Sequence, residues 1–280
     1  MSKYIIRVPE DKEISKCIKV FYTAFSRILP DDITEEMKIW KSLIEWKIGK
    51  FLISEDNGKI FGIGAVFFFG KVSSIGHMSV LPEYRGKGVG TEIFKNLLRI
   101  ADEMGCETKI LYASNLGEPI YKKFGFLRSF YGTMYNLPTY SFEFDNINKE
   151  VRISDIIPEW LVSLDKQAVG FNRSKYLNLK VRLGAKVISI ENEGYGLLVN
   201  RRLGPLIAKN LETAIEITKR GITLGANHVI ISEHQNLPKK FFKSVNLTKL
   251  ENQINVRMIC GKEIHEKLNL LYAIGNWSKG

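Results

Sequence analysis

The chain has 280 residues, enough for about two domains, and its 45% hydrophobic and 25% charged residues are typical of a globular protein and argue against disorder. Lys plus Arg outnumber Asp plus Glu by 41 to 30, and the surplus is spread over both halves of the chain. A spread surplus favours polyanions only weakly, and the absence of charge blocks and zinc-finger spacing disfavours nucleic acid as a partner.

The cysteines and the hydrophobic runs indicate in which cellular compartment the protein is expected. Cys17, Cys106 and Cys260 are isolated and form no Cys-x-x-Cys motif, which argues against a disulfide framework or a metal site and suits a reducing compartment. The charged N-terminus does not resemble a signal peptide. The longest near-apolar run, Ile60–Phe69, is too short to cross a bilayer. We therefore expect a cytoplasmic protein with no membrane partner and no metal.

Hydrophobic periodicity divides the first half of the chain into strands and helices. The predicted elements begin with a strand at Tyr4–Val8, helices from Asp11 to about Leu29 and from Thr34 to about Ile48, a hairpin of Phe51–Ser54 and Lys59–Phe69, and a strand at Lys71–Val80. A loop at Leu81–Gly90 follows, then a helix from Val89 to Met104 capped by Gly105, a strand at Lys109–Ala113, a short helix at Gly117–Phe124 and a strand at Phe126–Asn136.

Residues 137–150 are predicted to form a linker, because Pro138 opens a stretch without periodicity. This predicts two domains, residues 1–138 and 139–280. The predicted elements of the second domain are a strand near Val151–Ile153, helices at 156–168 and Arg173–Leu183, strands at 186–190 and 194–200, a helix at about Leu211–Leu224 and a strand at Val229–Ser232.

An internal repeat relates the two predicted domains. When the first is shifted by 120 positions, Gly105 falls on Gly225, Ile110 on Ile230, and Tyr121 on Phe241. The order of helix, glycine, strand, loop and helix is kept without a gap, although few residues are identical. The repeat predicts two domains of one architecture.

The loop Arg85–Gly90 has the composition of a pyrophosphate cradle. Backbone amides at a helix start can converge on an anion, and glycines allow the close approach that side chains would block. The loop does not match the P-loop pattern, which ends in Gly-Lys-Ser/Thr, because it ends in Val89-Gly90-Thr91. It does not match the Rossmann pattern either, because Thr91 stands at the position of the third glycine. On the residues alone, a surface turn before a helix remains an equal alternative.

The stretch Val80–Gly90 resembles the acetyl-CoA motif of the GNAT superfamily of N-acetyltransferases, Arg/Gln-x-x-Gly-x-Gly/Ala, at Arg85, Gly88 and Gly90. A second match follows at Asn115 and at Tyr121–Phe126, where the family carries Tyr-x-x-x-Gly-Phe. The resemblance covers about residues 1–137. It implies an α/β fold whose mixed, mostly antiparallel sheet is flanked by helices, with acetyl-CoA as co-substrate and no metal.

The resemblance also implies residue roles. Pantetheine would pair with backbone groups of Met78 and Val80, the Met78 N–H would polarise the thioester carbonyl, and Tyr121 would protonate the leaving thiolate. The other implied cofactor-binding residues are Arg85, Gly86, Lys87, Gly88, Val89, Gly90, Thr91 and Asn115. A neutral amine would attack directly in a ternary complex.

The general base is less well defined by the sequence. His77 is the nearest titratable side chain on the cofactor strand, but alternation turns it away from Met78 and Val80, which favours a place in the core. Glu83 is a solvated alternative, and a chain of water molecules to bulk solvent is another.

The 120-position shift places Arg85–Gly90 on Pro205–Asn210, which has no glycine, and Phe241 has no proton to donate. We therefore expect the second domain to have the same architecture but neither a cofactor-binding loop nor a general acid. It also resembles the C-terminal domain that follows the GNAT domain in some bacterial and archaeal acetyltransferases, at Asp165, Gly170–Arg173, Gly194–Gly196 and Arg202–Pro205.

Such a domain could wall the acceptor site, which makes Asp165, Arg173 and Glu193 candidates for binding the acceptor. A salt bridge between domains or at a helix cap is the alternative for each of them.

The expected function is transfer of the acetyl group of acetyl-CoA to a primary amine on a small molecule or a protein. A non-catalytic acyl-CoA sensor is the main alternative, which the intact Tyr121 disfavours, and a basic nucleic-acid binder is a third.

Overall fold

The computed structural model describes residues 4–138, 150–234 and 237–279. The chain forms two compact units, Met1–Leu111 and Tyr112–Gly280, called here unit 1 and unit 2. Most of the predicted linker, residues 139–149, lies outside the described residues, so the domain boundary between residues 138 and 139 stays a prediction.

Unit 1 begins with a short strand and two helices and continues with a meander of strands. Its elements are β1 (Ile5–Arg7), α1 (Ile14–Ala24), α2 (Thr34–Glu45), β2 (Gly49–Asp56), β3 (Lys59–Phe69), β4 (Val72–Val80), α3 (Val89–Glu103) and β5 (Thr108–Ala113), whose last two residues belong to unit 2. The first predicted helix ends before Leu29, because Ser26 adopts a left-handed conformation with φ 51° just after α1.

The strands of unit 1 lie in the order β1-β2-β3-β4-β5, and all neighbours are antiparallel except β4 and β5. A Cβ atom added at Gly64 would come within 2.7 Å of Ile93 on α3, so this glycine lets the helix approach the sheet closely. Trp40 of α2 stacks on Phe51, whose neighbour in the register is Ala65. Because Gly64 and Ala65 point to opposite faces, α3 and α2 cover opposite faces of this sheet.

Unit 2 contains the remaining elements. They are α4 (Glu118–Lys122), β6 (Leu127–Asn136), β7 (Arg152–Ser154), α5 (Glu159–Val169), α6 (Ser174–Arg182), β8 (Lys186–Ile190), β9 (Gly194–Val199), β10 (Arg202–Ala208), α7 (Leu211–Thr223), β11 (His228–Glu233), α8 (Lys240–Ser244), β12 (Thr248–Gly261) and β13 (Leu271–Ile274).

The sheet of unit 2 runs in the order β12-β6-β11-β13-β10-β9-β8-β7. Strands β10 and β11 begin as a parallel pair, with Arg202 opposite His228. Further along they part, and β13 inserts between them, pairing Ala273 with Leu206 on one side and with Ile231 on the other. With helices packed on these sheets, the expected mixed, mostly antiparallel α/β fold is confirmed.

The predicted repeat holds from α3 onward. Shifting α3, β5 and α4 by 120 positions places them on α7, β11 and α8, and Gly105 and Gly225 follow their helices with φ values of 73° and 92°. The two units differ just before α7. Residues Pro205–Ala208 are part of β10, and Lys209 and Asn210 alone connect that strand to the helix. The loop of unit 1 is thus absent, rather than substituted, in unit 2.

Candidate functional site

The Arg85–Gly90 loop joins β4 to α3 in a conformation that only glycine adopts easily. Gly86 and Gly88 have φ values of 73° and 81°, in the left-handed region. A Cβ atom added at either residue would meet no heavy atom within 4 Å. The two glycines are therefore required by backbone conformation, and the space above them is open to a ligand.

The start of α3 presents backbone donors to that space. Gly88 is the N-cap residue and makes no side-chain capping bond, and the first intrahelical bond runs from the Glu92 amide to the Gly88 carbonyl at 3.0 Å. The amides of Val89, Gly90 and Thr91 precede that bond, so they are the donors that every helix start leaves unused. Together with the positive end of the helix dipole, they form an arrangement suited to an anion.

Two lysines lie beside the loop on one aromatic ring. The amino groups of Lys59 and Lys87 lie 5.1 and 5.5 Å from the centroid of Tyr84, which itself stacks on Phe61 at 4.2 Å. Lys87 also donates to the Glu83 carbonyl at 2.9 Å. Sequence reasoning missed Lys59, because only the β2–β3 hairpin brings it to this loop.

The Arg85 side chain makes two hydrogen bonds to backbone carbonyls in unit 1. Its Nε donates to the Val80 carbonyl at 3.0 Å, and its Nη2 donates to the Ala24 carbonyl at 2.5 Å. The guanidinium therefore ties the loop to the end of β4 and to the end of α1. Its predicted contact with phosphate stays a prediction, and the Val80 carbonyl already has a donor.

Strand β4 carries a bulge next to this loop. In its register with β3, Ser79 faces Ile63 and Gly76 faces Ala65, so His77 and Met78 together oppose the single residue Gly64. His77 has a φ of 57°, which is rare for a residue other than glycine and marks the bulge as a built feature.

The bulge lies where β4 has passed its paired stretch with β5. The parallel pairing joins Val72–Ile75 to Thr108–Leu111. On the other side, the Leu81 amide donates to the Phe61 carbonyl of β3 at 2.9 Å. Because the amides of an antiparallel strand alternate in direction, the Val80 amide points away from β3. This supports the prediction that Val80 offers a backbone group to a ligand.

Met78 and His77 turn to opposite faces of the sheet. A Cβ atom at Gly64 would lie 2.7 Å from the Met78 sulfur, on the α3 side. The His77 ring instead packs among aromatic rings, with centroid distances of 4.9 to 5.6 Å to Phe21, Trp40, Phe51 and Phe67. This surrounding matches the expected place in the core, and a role for His77 as general base stays a prediction.

Tyr121, in unit 2, is held on α4 with its ring over a glycine. It is 8% exposed, and a Cβ atom at Gly117 would lie 2.8 Å from its Cε2 and 3.3 Å from its hydroxyl. Burial raises the pKa of the phenol, which keeps it protonated through the physiological range. Asn115 is exposed on the turn before this helix. The geometry suits a proton donor.

Comparison with known proteins finds a match to the GNAT acetyltransferases in each half of the chain. Residues 18–126 match the Acetyltransferase (GNAT) family, and residues 161–273 match the Acetyltransferase (GNAT) domain. The uncharacterized N-acetyltransferase YitH of Bacillus subtilis is 29% identical over 177 residues, which span 59% of this chain and 61% of that protein.

Solved structures extend the match to the whole chain. A crystal structure named "Putative Acetyltransferase" from Pyrococcus horikoshii superposes with a TM-score of 0.88 at 29% identity, covering 100% of this chain and 97% of that one. A GCN5-related N-acetyltransferase from Kribbella flavida shares the fold alone, with a TM-score of 0.61 at 14% identity over 92% and 72% of the two chains. The chain belongs to the GNAT acetyltransferase family and carries two GNAT domains in tandem.

In the C-terminal GNAT domain, the predicted acceptor residues Asp165 and Arg173 bind each other. They are 1% and 2% exposed, and the guanidinium donates to the carboxylate from Nε at 3.0 Å and from Nη2 at 2.9 Å. The Tyr195 hydroxyl donates to the same carboxylate. Arg173 is the N-cap residue of α6. The pair therefore corresponds to the alternative of a salt bridge at a helix cap, and a role in acceptor binding stays a prediction.

Glu193 lies instead at the start of α7. Its carboxylate accepts from the Asn210 side-chain amide at 2.9 Å and from the Thr213 hydroxyl at 3.4 Å. The Asn210 side chain also caps the helix by accepting from the Thr213 amide at 2.9 Å. At the start of α7, the Thr213 amide is thus bonded to a side chain of the protein itself.

Two further features bear on the site. No described helix of this GNAT protein is both long and apolar enough to pass through a membrane. Within the described residues, no group of three or more His, Cys, Asp or Glu side chains is placed to hold a metal ion.

Proposed function

We propose that this tandem GNAT protein is an N-acetyltransferase that moves the acetyl group of acetyl-CoA to a primary amine. The observation that carries the proposal is the glycine loop before α3, where Gly86 and Gly88 adopt left-handed conformations beside open space and the helix start has no side-chain cap. A pyrophosphate fits the backbone donors of such a helix start in size and charge.

The remaining cofactor contacts follow the family resemblance. We assign phosphate binding to the amides of Gly88, Val89, Gly90 and Thr91, with Gly86 providing the turn and Lys87 adding charge, and we retain Arg85 and Asn115 as expected contacts. Pantetheine would lie along β4 past its paired stretch and bond to the backbone of Met78 and Val80.

The reaction would proceed by direct attack. The neutral amine nitrogen bonds to the thioester carbonyl carbon while the Met78 N–H stabilises the developing oxyanion. The C–S bond then breaks, the Tyr121 hydroxyl gives its proton to the thiolate, and the amine nitrogen loses its extra proton to a base or to water. The raised pKa of Tyr121 keeps that proton available.

The acceptor is proposed only as a class, a primary amine of a small molecule or a protein. The three cysteines are free, which suits a reducing cytoplasmic compartment.

The decisive experiment has two steps. First, the melting temperature is measured with CoA, with acetyl-CoA and with adenosine 3′,5′-bisphosphate, which lacks pantetheine and one phosphate of the pyrophosphate. We expect a larger upward shift with CoA and acetyl-CoA, and no shift with acetyl-CoA would refute the proposal. Second, CoA release is followed against a panel of amines and peptides.

A shift without CoA release on any amine would instead favour the second candidate, a non-catalytic acyl-CoA sensor. Two observations bear on that candidate: between β10 and α7 the chain has no glycine loop, and Phe241 stands at the position equivalent to Tyr121.

A further inference from the structure

The direction of the β4 amides before the bulge follows from the hairpin of β3 and β4. The Phe68 amide donates to the Ile48 carbonyl at 2.8 Å, on the β2 side, so the Phe69 amide points to β4. Phe69 faces Val72, and a facing residue in such a pair directs its own amide back to the first strand. Amides at even positions of β4 therefore point to β3 as far as Gly76.

Beyond the bulge this direction is reversed. The Leu81 amide donates to the Phe61 carbonyl at 2.9 Å, so amides at odd positions now point to β3, and those of Met78 and Val80 point away from it. Gly64, opposite the bulge, lies at an even position of β3, so its own backbone groups point to β2. Without the extra residue, the first pattern would continue and both amides would point to β3.

His77 has the backbone conformation that makes the bulge. Its φ of 57° lies in the left-handed region, which residues other than glycine rarely adopt. Among the described non-glycine residues with positive φ, His77 lies inside a strand, whereas the others lie in turns. Such a conformation persists only where its surroundings impose it, so the contacts of the His77 side chain indicate what maintains the bulge.

The His77 ring packs among rings from four elements of unit 1. Its centroid lies 5.3 Å from that of Phe21 on α1, 4.9 Å from Trp40 on α2, 5.6 Å from Phe51 on β2 and 5.6 Å from Phe67 on β3. The rings also contact one another, since Trp40 stacks on Phe51 at 4.7 Å and Phe51 meets Phe67 edge-on at 6.0 Å. We call these four partner residues the aromatic cluster.

The position of the His77 ring in the aromatic cluster requires the bulge. Facing residues of an antiparallel pair project to the same face of the sheet, and Met78 accordingly lies with Gly64 on the α3 side. His77 also opposes Gly64, yet its ring lies on the α2 side. If the register of Ala65 and Gly76 continued without a bulge, His77 would face Gly64, point to the α3 side and lose its four ring contacts.

We propose that His77 is a positioning residue for acetyl transfer, whose ring, packed in the aromatic cluster, maintains the bulge that turns the Met78 and Val80 amides away from β3. The inference rests on the proposed function, in which these amides bind the thioester and the pantetheine arm. Ring contacts of this kind supply the packing that offsets an unfavourable φ. The role requires the shape of an aromatic ring and no transfer of a proton.

The test compares two substitutions of His77. His77→Gly adopts a φ of 57° without strain but has no ring, and His77→Phe keeps a ring without a nitrogen. We expect His77→Gly to lower kcat about a hundredfold, the effect of losing one oxyanion donor. Its affinity for acetyl-CoA should fall about tenfold by calorimetry, as for one lost hydrogen bond. Its affinity for adenosine 3′,5′-bisphosphate, which lacks the pantetheine arm, should not change.

His77→Phe should restore kcat to within about threefold of the wild-type value, because its ring can occupy the aromatic cluster. Full kcat in His77→Gly would show that the backbone conformation alone forms the bulge, and would overturn the proposal. An equal loss of kcat in both variants, with the strand register intact, would assign His77 as the general base and would also overturn it.

The matched control for lost packing is Leu43→Ala. Leu43 is 1% exposed on α2, the helix that carries Trp40, and is not one of the rings of the aromatic cluster. Leu43→Ala should lower the melting temperature at least as much as His77→Gly, yet keep the wild-type kcat well below that temperature. A fall in kcat equal to that of His77→Gly would mean that any loss of packing on this face has the same effect, against the proposal.

Cross-strand nuclear Overhauser effects report the register without turnover and separate this inference from the proposed function. In the wild type and in His77→Phe, Ser79 should contact Ile63, and in His77→Gly Met78 should contact Ile63 in its place. A wild-type protein that releases no CoA on any amine would refute acetyl transfer, whereas this change of register would still establish that the ring maintains the bulge. An unchanged register in His77→Gly would refute the inference even if the enzyme were active.

Discussion

In each unit a long helix follows a strand, α3 after β4 and α7 after β10. The two helices differ in whether a side chain caps their first turn. At the start of α3, Gly88 leaves three amides without a side-chain cap and faces open space. At the start of α7, Asn210 caps the helix and Glu193 supplies a carboxylate through Asn210 and Thr213. The helix start of α3 thus has no side-chain acceptor, whereas that of α7 has the Asn210 side chain, which Glu193 holds in place.

The strands show the same contrast. In unit 1, β4 runs past its paired stretch with β5 and carries a bulge at His77 and Met78. In unit 2, the equivalent strands β10 and β11 also begin as a parallel pair, but β13 fills the space between them. The difference teaches that one architecture can leave the end of a strand pair open or fill it with a third strand, without a change of fold.

The strongest test of this contrast is Gly88→Asp. It places a carboxylate beside the expected pyrophosphate, and repulsion of about 4 kcal/mol predicts an affinity for CoA about a thousandfold weaker by calorimetry. The matched control is Gly105→Asp, at the other end of α3, because that glycine has a similar φ of 73° and equally open surroundings. Equal loss of affinity in both variants would show that the effect is only a strained backbone.

The next largest effect concerns the buried ion pair of unit 2. Arg173→Met leaves the Asp165 carboxylate buried beside Tyr195 without its guanidinium, so the free energy of unfolding should fall by about 3 kcal/mol in urea titrations. Arg182→Met, an exposed arginine at the end of the same helix, should change it little. Unchanged stability combined with a higher KM for the amine would support acceptor binding by Arg173 instead.

Tyr121→Phe makes that position of α4 equivalent to Phe241 of α8. Removing the hydroxyl while keeping the ring should lower kcat about a hundredfold and leave the affinity for acetyl-CoA unchanged. Tyr135→Phe, which removes another buried hydroxyl of unit 2, should keep full activity.

The pH dependence gives an independent check on Tyr121. Because burial raises its pKa above the usual value near 10, the wild-type kcat should not decline through ionisation of this group below about pH 10. A fall in kcat in that range that Tyr121→Phe abolishes would contradict its surroundings as described.

The smallest expected effect is on stability and concerns Asn210, the N-cap residue of α7. Asn210→Ala removes the cap of α7 and should lower the free energy of unfolding of unit 2 by about 1 kcal/mol, with no change in CoA affinity. Asn178→Ala, in the middle of α6 and exposed, should be neutral or slightly stabilising. A change in CoA affinity with Asn210→Ala would mean that the C-terminal GNAT domain contributes to cofactor binding.

Much of the fold was predictable because its signals are local. The hairpin of β2 and β3, the helix α3 and the glycine after it depend on residues close in sequence, and the structure places them as predicted. Strands β10, β12 and β13 were missed, because their pairing depends on partners far along the chain. For the same reason, the sequence did not show that β10 occupies Pro205–Ala208 in place of a loop.

The candidate site divides in the same way. The glycines and Tyr121 follow from motif spacing, and the φ values of Gly86 and Gly88 agree with the need for glycine. Side-chain partners did not follow, since Arg85 reaches the Ala24 carbonyl 61 positions away and Lys59 arrives through a hairpin. The sequence also did not predict that Asp165 and Arg173 face each other. The turn between α5 and α6 brings them together, and the spacing of the two residues does not determine the geometry of that turn.

The position of β13 limits what protein engineering could recover in the C-terminal domain. Grafting Arg85–Gly90 between β10 and α7 would restore a glycine-rich turn and three free amides. The strand pair would still be closed, because Ala273 pairs in register with Leu206 on one side and with Ile231 on the other. Such a hybrid should bind inorganic pyrophosphate but not the pantetheine arm, so changing the loop alone should not give this domain a complete site for acetyl-CoA.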